Sequence, residues 1–199
     1  ESLRIGLEQH LSAHLAPDRF GWQGGIPPWR FEPASGLDQS PWTTCAMDIL
    51  GLSAWDNRFA TISRVLLAGS LWRGEQRERS AQLEARVRQH AVPRVHLKDL
   101  VALAPDSLRA HWEALQTCIA QEPRVAPPGT WVEHFSARLD ALGWGQASAQ
   151  QSEQWQANEA FRDTLQQLAV LDPQLGEISV ESAVSWLPEL LRGRRFSPR

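Results

Sequence analysis

The chain has no tyrosine, one methionine (Met47), one lysine (Lys98) and two cysteines in 199 residues. The lone lysine excludes two chemistries. A phosphate-binding P-loop needs Gly-Lys-Ser/Thr, and Lys98 stands between Leu97 and Asp99. A nuclease of the PD-(D/E)xK type needs an acid two residues before its lysine, where this chain has His96. No Cys-x-x-Cys and no Gly-x-Ser-x-Gly occurs. Cys45 and Cys118 lie far apart in apolar surroundings, which reads as buried free thiols in a reducing cytosol; a disulfide between them stays open on sequence. No apolar run approaches the roughly 18 residues of a membrane span, and no secretory leader pattern occurs, so a cytoplasmic protein without membrane contact is expected. A formal net charge of −3 excludes a chain that coats nucleic acid by bulk charge but leaves a local basic face open. The chain starts at Glu1 and reads as one domain excised from a longer protein.

What is present is a succession of helical stripes. Hydrophobic residues make up 42% of the chain, enough for a real core. Leu3, Leu7, Leu11 and Leu15 form one apolar stripe that ends at Pro17. The stretch 16–39 is broken by glycine and proline yet carries Phe20, Trp22, Trp29 and Phe31, so it reads as a packed loop. Ser40-Pro41 is a helix start, Cys45, Ala46, Ile49 and Leu50 make the stripe, and Gly51 stops it. Asp56 or Asn57 caps a second helix with Phe59, Ile62, Val65 and Leu66 inward, closed by Gly69. A third runs from Glu75 to His90, with Leu83, Val87 and His90 on one face and Glu75–Arg79 and Glu84–Arg88 as i,i+4 pairs. Further helices are expected at 97–104 and 106–121. Pro123 to Gly129 is the clearest break and suggests two lobes, 1–122 and 130–199. Beyond it, Thr130 and Glu133 match a capping box before Val132, Phe135, Leu139 and Leu142. Ser152 opens a helix through Phe161, Leu165 and Leu168, and Ser179 caps a last one that Pro188 should kink or split. No alternating strand stands out. The fold class is all-α, with about eight helices.

Candidate contacts with a partner are arginines and tryptophans. Arginine in place of lysine is the composition of a GC-rich genome; bidentate phosphate contact is the functional alternative. One cluster is Arg73, Arg77, Arg79, Arg86 and Arg88, interleaved with Glu75, Glu78 and Glu84, a pattern usual for a solvated, salt-bridged face. The other is Arg192, Arg194 and Arg195, with no acid after Glu189. Among ten tryptophans, Trp112, Trp131 and Trp155 sit on or beside apolar stripes and read as core. Trp22, Trp29 and Trp72 lie in loops or next to arginines, where stacking on nucleic-acid bases is the alternative. His10 and His14 have ligand spacing, but position 11 is Leu, so the pair lacks the glutamate of a metalloprotease helix. No cofactor and no catalytic residue is expected.

The order Phe31, Gly36, Pro41, Cys45-Ala46-Met47-Asp48-Ile49-Leu50-Gly51-Leu52, then Ser63-Arg64-Val65-Leu66-Leu67-Ala68-Gly69-Ser70-Leu71-Trp72 and Ala81-Gln82-Leu83-Glu84, resembles the middle of AddB/RecB-like helicase–nuclease proteins of bacterial recombinational repair. It is particularly similar to the proteobacterial group described as probable DNA repair proteins. Trp131 to Gly145, the Trp155–Leu171 helix and the ending Arg195-Phe196-Ser197-Pro198 fit the same region. The resemblance implies the accessory (2B-like) helical domain inserted in the second motor domain, with ATP and nuclease sites elsewhere in the parent. It also implies DNA and the parent's other domains as partners. The candidate DNA contacts are Arg192, Arg194, Arg195, Arg73, Arg77, Arg86 and Trp72. The alternative is a helical module that binds protein without touching DNA.

Overall fold

Helical periodicity governs the chain wherever it is described. The computed structural model describes residues 37–90, 93–146 and 153–192; the expected first helix, the loop from 16 to 36, His10, His14, Trp22, Trp29, Arg194 and Arg195 lie outside them. A 3-10 turn at Leu37–Gln39 precedes α1 (Pro41–Leu50), α2 (Phe59–Leu67), α3 (Gly74–Gln89), α4 (Leu97–Leu103), α5 (Asp106–Ala120), α6 (Pro128–Ala141), α7 (Glu153–Ala169), the one-turn α8 (Asp172–Leu175) and α9 (Val180–Arg192). The domain is all-α. Its strands, among the described residues, are a two-residue antiparallel ribbon, β1 (Asn57–Arg58) with β2 (Arg94–Val95), pairing Asn57 with Val95 and Arg58 with Arg94.

The helices bury most of the stripe positions their spacing announces, with Phe59, Val101, Cys118 and Ile119 half-buried. Cys45, Ala46, Ile49 and Leu50 of α1 are buried; so are Ile62, Val65 and Leu66 of α2, Leu108, Trp112 and Leu115 of α5, and Trp131, Val132, Phe135 and Leu139 of α6. Successive helices pack as neighbours: α2 on α3, α4 on α5, α5 on α6 and α6 on α7, while α1 touches α2, α6 and α7. Phe161, Leu165 and Leu168 of α7 meet Ala183, Leu187 and Leu191 of α9 in the same core. At full burial each such side chain contributes about 1.5–3 kcal/mol. Cys45 and Cys118 are free thiols, but of the two expected to be buried only Cys45 is, Cys118 being half-buried; burial pushes the Cys45 thiol up to about 11.

The break at Pro123–Gly129 does not divide two lobes. Ala126 pairs with Ile178 in an antiparallel bridge, the Trp131 indole donates to the Ile178 carbonyl at 2.9 Å, and helices from both sides share one core. The prolines turn the chain between helices and start one: Pro127 is the N-cap and Pro128 the first residue of α6, where a missing N–H costs nothing.

Cap positions depart from their motifs in several places. Thr130 lies inside α6, so its capping box does not form; Asp172 of α8 instead reaches across the chain to accept from the Gly129 amide at 2.6 Å. Neither Asp56 nor Asn57 caps α2, whose N-cap is Arg58. Ser40 has extended backbone ahead of α1, but its hydroxyl makes no cap bond. His90 is exposed rather than on the buried face of α3. Ser179 does accept from the Ser182 amide at 3.3 Å, and α9 continues unbroken through Pro188.

The cap supplied by Asp172 yields a stability prediction. Asp172→Ala is expected to cost about 0.5–2 kcal/mol in urea unfolding, as for other N-terminal caps that are removed. A Cβ at Gly129 would sit 2.9 Å from Asp172 Oδ2. Gly129→Ala should therefore gain about 0.5–1 kcal/mol only when Asp172 is already alanine. Equal effects in both backgrounds would remove the assigned contact.

Candidate functional site

Two features carry unusual chemistry for a helical core. The first is a buried ion pair. Position 138 falls on the apolar stripe of α6, three residues after Phe135 and four before Leu142, and the side chain there is arginine. The side chain of Arg138 is 2% exposed and that of its partner Glu122 6%. The guanidinium grips both carboxylate oxygens, through Nε to Oε1 at 2.5 Å and through Nη2 to Oε2. Its Nη1 donates to the Leu50 and Leu52 carbonyls at 2.7 and 2.9 Å. One side chain thus ties α6 to the second residue beyond α5 and to the end of α1, satisfying carbonyls that α1 leaves open where it stops.

Above this pair lies a groove of about 720 Å³. Its walls are the 50–55 loop, the end of α5 at Ile119 and Ala120, and the first turns of α9 at Val180, Glu181, Val184 and Ser185. Trp55 stands at its rim, 68% exposed, edge-on to His96 at 6.4 Å. The loop beneath it is tightly bonded. The Ser53 amide donates to Asn57 Oδ1 at 2.8 Å and the Asp56 amide to the Ser53 hydroxyl at 3.0 Å. Asn57 Nδ2 donates to the Ser53 and Val95 carbonyls, and the Leu97 amide to the Ala54 carbonyl at 3.2 Å. Asn57, expected as a helix cap, is the strut of this loop. The carboxyl of Glu181 is held below the usual glutamate range, first by the Ser179 hydroxyl and its own backbone amide, against some desolvation, with Arg138 adding attraction.

The second feature is α3. Glu84, expected on the solvated face, is buried, with its side chain 7% exposed. It accepts from the Ser63 hydroxyl at 2.6 Å and from Arg88, and Arg88 also lies over the Phe59 ring at 5.1 Å. With Glu84 withdrawn, Arg73, Arg77, Arg79, Arg86 and Arg88 face water beside two exposed carboxylates, Glu75 and Glu78. The arginines are not one patch. Arg77, whose guanidinium carbon lies 4.0 Å from where a Gly69 Cβ would sit, follows the α2 side with Arg88. By helical position Arg79, paired to Glu75 at 3.2 Å, and Arg86 follow the other side. Arg73 donates to the neutral amide of Gln154 on α7. Among the described residues, Arg77 and Arg86 have no carboxylate partner, while Arg192 is paired with Glu189 at 2.7 Å.

Trp72 is corrected outright. It is 1% exposed, its indole donates to the Val65 carbonyl at 2.9 Å, and it packs against Trp112 at 6.3 Å; no base can stack on it. Trp112 and Trp131 are core as expected. Trp55 and Trp186, the most exposed tryptophans among the described residues, carry no distinguishing signal in sequence. Among the described residues no group of three or more His, Cys, Asp or Glu is placed to hold a metal, and no helix is long and apolar enough to cross a membrane. Comparison with protein-family models, with curated proteins and with solved structures gives no match.

The ion pair and Glu84 give separate tests. Arg138→Leu strands the Glu122 carboxylate and two carbonyls and should cost about 3–5 kcal/mol; adding Glu122→Leu should recover a large part, since the buried charge goes with it. A double variant no more stable than Arg138→Leu would show that the stranded carboxylate is not what destabilises the single variant. Arg88, more than burial opposes it, holds the Glu84 carboxyl below its ordinary value of 4.5, with Ser63 assisting. Ionised Glu84 therefore stabilises the fold above that value, and the gain disappears as pH falls through the lower folded value. The stability gap between wild type and Glu84→Gln should be full at pH 7 and close on acidification below pH 4.5; a gap independent of pH would contradict this.

Proposed function

We propose that this chain is a non-catalytic, 2B-like helical domain of a bacterial recombinational-repair helicase–nuclease, which positions DNA and packs on the motor domains of its parent. The observation that carries the reading is α3, where Glu75 and Glu84 take up Arg79 and Arg88 while the exposed Arg73, Arg77 and Arg86 keep no carboxylate partner among the described residues. Arginines so placed contact phosphates and set register without reading sequence. The all-α fold and the order of sequence features from Phe31 to Glu84 support the same assignment. Arg73, Arg77 and Arg86 are the first contacts in this reading. Arg192, held by Glu189, acts with Arg194 and Arg195 as a second group. Trp72 has no part in it.

The test is fluorescence anisotropy of labelled single-stranded and duplex oligonucleotides against the fragment at low and moderate salt. Binding should weaken steeply with salt. The Arg73→Gln, Arg77→Gln, Arg86→Gln triple variant should lower the salt slope by about one for each phosphate no longer neutralised; Arg73 also bonds Gln154, so far-UV dichroism checks that the variant is folded. Failure to bind at low salt would sink a DNA-positioning role for this domain on its own.

A further inference from the structure

The groove below Trp55 uses none of the arginines assigned to DNA. Its floor is closed: Arg138 and Glu122 satisfy each other, and the remaining Arg138 donors go to Leu50 and Leu52. Its walls are apolar, formed by Leu52, Ala54, Ile119, Ala120, Val180 and Val184. Glu181 is thus the one lining charge without an ion-pair partner among the described residues. At the rim, the loop bonds of Ser53, Ala54, Asp56 and Asn57 hold Trp55 in water without using its indole. A large aromatic ring kept exposed on a rigid loop beside an apolar groove is the usual form of an anchor for a partner.

From the apolar walls, the fixed Trp55 and the single carboxylate of Glu181 we infer that this groove docks an amphipathic helix from another polypeptide, carrying an apolar stripe and an arginine or lysine that meets Glu181. Charge complementarity selects this occupant. The groove offers an unpaired negative charge and no unpaired positive one, so it disfavours nucleic acid and acidic peptides alike. Its shape selects it too. Small-molecule sites bury most of their ligand, whereas this groove is open to solvent and suits the buried stripe of a helix whose other face stays wet. The inference stands independently of DNA contact by α3.

The probe is a set of fluorescein-labelled, helix-forming peptides of one design. Each has leucines at i, i+3, i+4 and i+7 and, at one flanking position, arginine, glutamine or glutamate. Anisotropy with the full chain should rank them arginine, glutamine, glutamate, with several-fold steps. Glu181→Arg should reverse the ranking. Trp55→Ala should weaken every peptide about ten-fold or more, as removal of an anchor does, while Trp186→Ala, which removes an exposed indole outside the groove lining, should leave binding unchanged. Far-UV dichroism and a thermal melt confirm that each variant is folded. The inference is overturned if no peptide binds, if the ranking does not follow the charge at position 181, or if the two tryptophan variants weaken binding equally.

Discussion

The Arg138–Glu122 pair is the constraint on which the arrangement of helices depends. Two buried ions are costly on their own, and mutual attraction repays that cost only when the remaining hydrogen-bonding capacity is also used. Here it is used, because Arg138 directs its other donors to carbonyls at the end of α1 and in the loop behind it. The pair therefore specifies geometry more than it adds net stability. α6 can occupy one position relative to the ends of α1 and α5, and the apolar contacts around it fill in what the polar bonds have fixed. A core of leucines alone would tolerate sliding of these helices; a bidentate contact with two further acceptors does not.

The same device recurs at smaller scale. Glu84 joins α3 to α2 through Ser63 and is neutralised by Arg88 from its own helix. Asp172 caps α6 from a helix more than forty residues later. Trp131 and Trp144 bury their rings and send their indole N–H groups to the Ile178 and Trp42 carbonyls, at 2.9 and 3.0 Å. In each case a polar side chain bonds to a residue distant in the chain. The bond from Asp172 meets an amide in the first turn of α6, where backbone groups lack partners inside the helix.

That pattern explains what the sequence makes legible. Stripes such as Ile62-Val65-Leu66 and Phe161-Leu165-Leu168 reveal helices because burial repeats with the helical period. Proline and glycine mark ends, as at Pro41 and Gly51. The cap motifs at Asn57 and Thr130 mislead because a capping motif is local, while the groups that bond there, Val95 and Asp172, come from elsewhere. The break at Pro123 suggests a linker for the same reason: turn residues look alike whether the flanking helices separate or pack. Arg138 and Glu84 do leave a signal, since each occupies a stripe position, Arg138 with Phe135 and Leu142 and Glu84 with Ser80 and Val87. A charge at such a position announces a buried pair, but the partner's identity lies in the tertiary fold. Trp72 is buried against expectation because adjacency to arginine in sequence says nothing about which way an indole turns.

Two surfaces of opposite character follow from these internal bonds. Turning Glu84 inward leaves α3 rich in arginine, while satisfying Arg138 from below leaves the groove with Glu181 as its unpaired charge. The arginines of α3 suit a polyanion, and the carboxylate of Glu181 suits a cationic helix. No α3 residue lines the groove, so neither ligand needs the other's contacts. Electrostatics of this kind sorts partners by sign before shape is tested. Under the two proposals a nucleic acid would lie on α3 and a polypeptide in the groove, and the buried Glu84 beneath α3 and Arg138 in the groove floor set the charge that each surface presents.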